Sequence, residues 1–136
     1  MIVVDTSVVV KWAVEEPGAD AARQLIGEPL VAPDLVIAEL GHVLAKKVRR
    51  DELDLDSATI AYTQLPSLLR LTPSRALEGR AFELAIQLHH SIYDCYFLAL
   101  AEAVEGELVT ADEVFVRKFR DLGFGASVRL AGEVAA

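Results

Sequence analysis

The sequence has little cysteine and no long apolar run. Its 136 residues include one cysteine, Cys95, so no internal disulfide can form, and no Cys/His spacing typical of a zinc site occurs. Asp34 and Asp94 interrupt the apolar stretches, well short of the roughly 18 residues that a membrane span requires. The first residues include no basic region of the kind that opens a secretory signal. We therefore expect a cytoplasmic protein with a reduced thiol and no membrane segment.

Positive charge is also scarce, and repeats and low-complexity tracts are absent from the sequence. The chain carries 13 Lys and Arg against 21 Asp and Glu, for a net charge of -8. The electrostatic field of a protein with this net charge repels nucleic acid and phosphate esters, so a polyanionic substrate would need a local counter-charge. Apolar side chains make up 53% of the residues and no linker divides them. This composition predicts one globular domain over residues 1–136.

Short apolar runs alternate with helical patterns along the chain. The runs typical of buried strands span residues 2–4, 30–32 and 108–109, with weaker candidates at 68–71 and 128–130. Helical periodicity covers residues 7–14, 19–26, 35–49, 57–64, 76–88, 92–105 and 113–121. This alternation predicts a three-layer α/β/α fold, with a central, mainly parallel sheet flanked by helices. A functional crevice is expected at the carboxyl ends of the strands.

Four acidic side chains stand where such a fold would bring them together. Asp5 and Asp112 each follow a buried strand, Asp94 stands at a helix start, and Glu39 lies in an apolar helical run. Clustered carboxylates repel one another, so a shared pocket requires raised pKa values or a hard cation, and oxygen ligands suit Mg²⁺ or Mn²⁺. The joint pattern favours a metal site at which a phosphodiester can be hydrolysed.

Each of these acids also has a purely structural interpretation. Asp5, Asp94 and Asp112 all occupy positions at which an acid commonly caps a helix, and Ser91 three residues before Asp94 completes a capping-box pattern. Glu39 can instead belong to an exposed helical stripe with the histidine and the lysine that follow it by one and two turns. From the residues alone, both interpretations stay open.

Four short motifs containing these acids follow one another along the chain. They are Val4-Asp5-Thr6-Ser7, then Ala38-Glu39-Leu40 preceded by Pro33, then Tyr93-Asp94-Cys95 continuing to Ala101, and Leu108-Val109-Thr110-Ala111-Asp112. In this order they resemble the motifs of the PIN-domain nucleases, and within them the VapC toxins of toxin–antitoxin pairs. The resemblance runs from residue 1 to about residue 130, which is nearly the whole chain.

This resemblance implies a PIN-like α/β/α fold and a Mg²⁺- or Mn²⁺-dependent endoribonuclease. Asp5, Glu39, Asp94 and Asp112 correspond to the acidic quartet that holds the metal and carries the catalysis. The resemblance also implies a homodimer and a cognate VapB-type antitoxin, with which the toxin would form a hetero-oligomer. The sequence departs from the family at His42, where asparagine is usual, and this departure bears on substrate and metal-water contacts.

Hydroxyl and basic side chains near the motifs are further candidates. Thr6, Ser7 and Thr110 could orient ligands or waters, or act as turn and cap residues. Basic side chains could contact an RNA backbone, although lysine and arginine near helix ends are often simply solvated. The candidates for such contacts are Lys11, Lys46, Arg49 and Arg117.

Two other polar features are expected to be structural. The pair His89-His90 stands at a helix end, where histidines are usually exposed to solvent rather than metal ligands or catalysts. Cys95 has no evident partner base and is expected to be a small buried hydrophobe.

The leading hypothesis is metal-dependent hydrolysis of RNA, in which an activated water attacks phosphorus in line and leaves a 5′-phosphate and a 3′-hydroxyl. The alternatives are a non-catalytic binding module, in which the acids are caps only, and a phospho-acceptor signalling module. A phospho-acceptor module would have adjacent acids after the first strand, whereas Asp5 is followed by Thr6 and Ser7. An aspartyl-phosphate phosphatase would similarly need a second acid at the position of Ser7.

Overall fold

Five parallel strands form the centre of the molecule in a computed structural model that describes residues 1–119 and 128–133. The strands are β1 (Ile2–Val4), β2 (Leu30–Pro33), β3 (Arg70–Thr72), β4 (Glu107–Thr110) and β5 (Val128–Leu130). They lie in the order β3-β2-β1-β4-β5, and every pairing between them is parallel. This confirms the predicted α/β fold and parallel sheet.

Helices connect these strands and flank the sheet. In the described part of the chain they are α1 (Thr6–Ala13), α2 (Ala19–Arg23), α3 (Leu35–Arg49), α4 (Leu55–Gln64), α5 (Glu78–Leu88), α6 (Ile92–Ala103) and α7 (Glu113–Phe119). Two short 3₁₀ segments, Leu65–Leu68 and Ser74–Leu77, stand on either side of β3. None of the helices within residues 1–119 and 128–133 is long and apolar enough to cross a bilayer.

The strand order reverses direction at β1, and this reversal creates a crevice. From β1 the chain moves to β2 and β3 on one side, then returns to β4 and β5 on the other. Because parallel crossovers are right-handed, the two directions of travel place α1–α4 and α5–α6 on opposite faces of the sheet. The connections that leave the carboxyl ends of β1 and β4 therefore run in opposite directions at this switch point, where ligands bind in open α/β sheets.

The core is centred on β1 and α6. Val3 and Val4 are fully buried, and Val3 lies in register with Val31 on β2 and Leu108 on β4. Helix α6 is buried over nearly its whole length from Cys95 to Ala101, which explains why its sequence is apolar without a polar face. The central position of α6 fixes its first turn, which contains Asp94, beside the carboxyl end of the sheet.

Candidate active site

A cavity of about 960 Å³ lies at the carboxyl ends of β1 and β4. Its walls come from α1, from one side of α3, and from the segment that joins β4 to the first turn of α7. Predicted site residues Thr6, Ser7, Glu39 and Asp112 line it, together with His42. Tyr93, the residue before Asp94, also lines the cavity. The crevice expected from the strand order is therefore present at the switch point.

Asp5 lies directly after β1 and is 7% exposed. The Ser7 hydroxyl donates to its Oδ1, and the Val8 N–H adds a longer bond of 3.4 Å. Burial raises the pKa of Asp5 to about 6; hydrogen bonds from Ser7 and Thr110 oppose this rise and the nearby charge of Asp94 adds to it. Asp5 therefore caps α1, and it is also a carboxylate whose negative charge is disfavoured by its surroundings.

Glu39 lines the cavity from α3, whereas Asp5 and Asp94 are not among the residues that line it. Its Oε1 accepts a hydrogen bond of 2.8 Å from Thr6 Oγ1, which ties α3 to the start of α1. Burial raises the pKa of Glu39, the Thr6 bond lowers it, and the charge of Asp94 raises it further. The exposed-stripe interpretation is not supported, since Glu39 is half-buried, whereas Lys46 is exposed and does not line the cavity.

Asp94 lies in the first turn of α6 and contacts a histidine. Ser91 occupies the N-cap position but makes no side-chain cap bond, so the capping-box interpretation is wrong. The Asp94 Oδ2 atom is instead 2.6 Å from Nε2 of His90. Asp94 also raises the pKa of both Asp5 and Glu39, which means that the three carboxylates lie within electrostatic reach of one another.

His90 is held in turn by a lysine from α7. The Lys118 Nζ atom is 2.7 Å from Nδ1 of His90. Because an ammonium group can only donate, Nδ1 accepts this bond, and Nε2 carries the hydrogen that is donated to Asp94. The rings of Phe115 and Phe119 pack edge-on against the imidazole at centroid distances of 5.7 and 4.9 Å. Lys118 thus sets the histidine tautomer, and the two phenylalanines fix the ring.

Asp112 caps α7 at the edge of the cavity. Its Oδ1 accepts from the N–H groups of Val114 at 2.9 Å and Phe115 at 3.2 Å. Its own N–H donates to Thr110 Oγ1 at 3.1 Å. The Thr110 hydroxyl also lies 3.2 Å from Ser7 Oγ, and this contact links the β4 end of the crevice to the β1 end. The cap interpretation of Asp112 is confirmed, and the same residue lines the cavity.

The four carboxylates are not arranged as a finished metal site in this conformation. Within residues 1–119 and 128–133, no three His, Cys, Asp or Glu side chains are close enough together to hold an ion. Each of the four acids is bonded to a protein donor instead: Asp5 to Ser7, Glu39 to Thr6, Asp94 to His90, and Asp112 to α7. The donor set still fits a hard divalent cation, because it consists of carboxylate oxygens from separate parts of the chain, and burial together with the charge of Asp94 raises the pKa values of Asp5 and Glu39.

The basic residues predicted to contact RNA lie in different places. Lys11 lines the cavity, as predicted. Lys46 does not line it, but the next residue, Lys47, does. Arg49 lines a second groove of about 510 Å³ between α3 and α4. Arg117 is exposed on α7, outside both of these linings. A role in RNA binding stays a prediction for all four.

Sequence reasoning did not predict the contacts that three side chains make at this site. His90 was expected to be exposed, yet it is half-buried and bonded to Asp94. The available signal was its spacing, because residues four apart meet on one face at a helix start. Nothing in the sequence distinguishes Lys47 from Lys46, or indicates that Lys118 reaches His90 from another element.

Comparison with known proteins identifies relatives over most of the chain. The family model for the PIN domain matches residues 2–120. Ribonuclease VapC1 of Mycobacterium tuberculosis is 36% identical over 115 residues, which cover 81% of this chain and 84% of the relative. Ribonuclease VapC3 of Pyrobaculum aerophilum is 29% identical over 123 residues, covering 87% and 94%.

Two solved structures share the fold. PAE2754 from Pyrobaculum aerophilum superposes with a TM-score of 0.68 at 23% identity, covering 86% of this chain and 84% of that one. Mycobacterium tuberculosis VapC20, a toxin that cleaves the sarcin-ricin loop, gives a TM-score of 0.63 at 20% identity, covering 85% and 92%. At these identities the similarity establishes the architecture.

Proposed function

The chain belongs to the PIN domain family, among its VapC ribonucleases, and we propose that the acidic crevice is its RNA-cleaving centre. As a VapC ribonuclease, the protein is the endoribonuclease toxin of a toxin–antitoxin pair. The proposed ligands of its divalent cation are Asp5, Glu39, Asp94 and Asp112. The observation that supports this set best is the electrostatic coupling of three carboxylates from three different elements at the switch point of the sheet.

A bound Mg²⁺ or Mn²⁺ would neutralise the carboxylates, polarise the phosphodiester and lower the pKa of a coordinated water towards neutrality. Three neighbouring side chains orient the proposed ligands. Ser7 bonds to Asp5, Thr6 to Glu39 and His90 to Asp94, so each of these three carboxylates is fixed by a hydrogen bond within the protein. Thr110 joins Ser7 to the backbone of Asp112 and links the two sides of the crevice.

The partners are an RNA substrate and, for a VapC ribonuclease in general, a VapB antitoxin. We propose in addition that the protein forms a homodimer and a larger complex with its antitoxin, in the cytoplasm. Phe82 and Ile86, one turn apart on α5, are 59% and 63% exposed, and exposed apolar pairs of this kind favour a protein partner.

The test is cleavage of single-stranded RNA by Asp5→Asn and Asp94→Asn in the presence of Mn²⁺. Both changes keep the size of the side chain and remove its charge, so we expect at least a roughly 100-fold loss of activity with an unchanged circular dichroism spectrum. Asp20→Asn is the control, because Asp20 is 99% exposed on α2. Full activity in both site variants would contradict the proposal.

A further inference from the structure

Two lysines inside the crevice share a single carboxylate. Lys11 Nζ on α1 lies 3.1 Å from Glu16 Oε1, and Lys47 Nζ on α3 lies 3.6 Å from Glu16 Oε2. All three residues line the same cavity as Glu39 and Asp112. Their side chains are only 17%, 18% and 31% exposed for Lys11, Lys47 and Glu16. A carboxylate therefore bridges two half-buried ammonium groups within the cavity.

The chain holds the Lys11 ammonium in place. Lys11 Nζ donates to the carbonyl oxygen of Pro17 at 2.8 Å, in addition to its bond with Glu16. Gly18 has a φ of +88°, and a Cβ at this position would lie 3.5 Å from Lys11 Cε, in ordinary van der Waals contact. The turn from Glu16 to Gly18 thus packs against the lysine side chain. The position of the Lys11 ammonium group is therefore fixed by a backbone carbonyl and not only by the conformation of its own flexible side chain.

Lys47 is held more loosely and on two sides. Its Nζ lies 3.6 Å from Glu16 and 3.7 Å from Glu52, distances that are ion pairs but too long for hydrogen bonds. Its hydrogens are therefore available to a closer acceptor. Lys11 and Lys47 are also the only lysine or arginine side chains among the described residues that line this cavity.

We propose that Lys11 and Lys47 form a subsite for one backbone phosphate of RNA, beside the acidic centre, and that Glu16 occupies this subsite until RNA displaces it. The inference rests on the proposed ribonuclease function. A phosphodiester has the same single negative charge as the Glu16 carboxylate and offers two oxygens that can accept from the same two ammonium groups. When a phosphate replaces the Glu16 carboxylate, the charges of both lysines therefore stay paired with a negative charge, in a protein of net charge -8.

Competition by Glu16 has a measurable consequence. An internal carboxylate must be displaced before phosphate can bind, so the chain binds RNA more weakly than its lysines would otherwise allow. Removing the charge of Glu16 should strengthen RNA binding, and this gain should depend on the lysines. A carboxylate that only positioned the lysines would give the opposite sign, because its removal would loosen them and weaken binding.

The experiment measures binding of a fluorescent single-stranded RNA of mixed sequence by anisotropy, in EDTA, so that no cleavage occurs. Glu16→Gln should lower the Kd about two- to fivefold, the equivalent of one surface ion pair. Glu15→Gln is the matched control: it makes the same change in net charge, but Glu15 is 84% exposed, pairs with Arg23 and does not line the cavity. Equal effects of the two variants would overturn the proposal, because net charge alone would then explain them.

The lysines are tested in the same assay across a salt series. Lys47→Ala should weaken binding and reduce the slope of log K against log salt by about 0.7, the value for one contact to a single strand. Arg75→Ala is the control, because Arg75 is exposed and lines neither of the two cavities, and it should change the slope less. In Lys47→Ala the gain from Glu16→Gln should become smaller, because Lys11 is then the only lysine of the subsite that Glu16 still pairs with.

If Lys47→Ala had the same salt dependence of binding as the wild type, the subsite would be overturned. An undiminished gain from Glu16→Gln in the double variant would overturn it as well. Because binding is read without metal, failure of the subsite can be distinguished from failure of the proposed nuclease centre. Loss of cleavage in Asp5→Asn with no effect of Glu16→Gln on Kd would uphold the nuclease centre and remove only the subsite.

Discussion

Asp5 is a cap residue and also a proposed metal ligand, and burial makes its charge unfavourable. The pKa of Asp5 is raised from 3.8 to about 6 in the folded protein. Between these two pH values the folded state binds more protons than the unfolded state, so stability falls as pH rises through this window. The loss is complete above a pH of about 6. In the absence of metal, Asp5 therefore reduces stability at neutral pH.

Asp5→Asn should accordingly stabilise the protein while it abolishes cleavage. The amide oxygen can still accept from Ser7, but the buried charge is gone. In EDTA we expect the free energy of unfolding to rise by about 1–3 kcal/mol at pH 8 and by much less at pH 4, from the size of the pKa shift. Urea unfolding at the two pH values measures this. An equal effect at both values would show that the pKa of Asp5 is not raised.

The sequence could predict the acids of the site but not the groups that hold them. Asp5 and Asp112 were predictable because they follow buried strands, and Glu39 because an acid in an apolar helical run is costly. The contacts of Asp94 could not be predicted, since Lys118 reaches His90 from a helix that lies beyond α6 and β4 in the sequence. The approach of Lys47 to Glu16 likewise depends on how α3 packs against α1.

At the scale of the element, hydrophobic pattern predicts the helices and strands well. The pattern predicts residues 2–4, 35–49 and 128–130 with the bounds that the structure has. The predicted helix 76–88 is divided, because its first turn belongs to the 3₁₀ segment Ser74–Leu77. The predicted helix 113–121 is observed to residue 119, and its last two positions lie outside the described residues. Strand order could not be predicted, because periodicity carries no information on where the sheet reverses.

The glycine within α3 is explained by the packing of α4. Glycine inside a helix costs about 1 kcal/mol relative to alanine. At Gly41, however, a Cβ would lie 2.9 Å from the Cε1 atom of Tyr62, which is closer than real Cβ contacts. The missing side chain lets the aromatic ring of α4 lie directly against the backbone of α3.

Gly41→Ala should therefore have opposite effects in two backgrounds. In the wild type the ring of Tyr62 must move, so we expect no gain in stability or a loss. In Tyr62→Ala the obstruction is absent, and the same substitution should stabilise by about 0.5–1 kcal/mol through helix propensity. A double-mutant cycle from chemical denaturation gives the coupling between the two sites. Equal values in both backgrounds would mean that the two helices do not meet at this point.

At the scale of the whole molecule, the topology concentrates negative charge at one end of the sheet. Reversal of strand order at β1 brings together Asp5, which follows β1, with acids from α3 and α6 that are far from it in the sequence. The hydrophobic core, centred on β1 and α6, holds these carboxylates near one another despite their repulsion. A cation that binds only to this arrangement must stabilise the fold, whereas acids that acted only as helix caps would give no such linkage.

Mn²⁺ should therefore raise the melting temperature of the protein, and EDTA should reverse the rise. A ligand at 100 times its Kd stabilises the native state by about 2.7 kcal/mol, which corresponds to several degrees for a chain of this size. Differential scanning fluorimetry at constant ionic strength measures the shift, with NaCl as the control for screening. Asp94→Asn should diminish the shift because it removes a carboxylate that couples to both Asp5 and Glu39, whereas Asp20→Asn should leave it unchanged. A wild-type melting temperature independent of Mn²⁺ would favour the interpretation of these acids as caps and would remove the proposed metal centre.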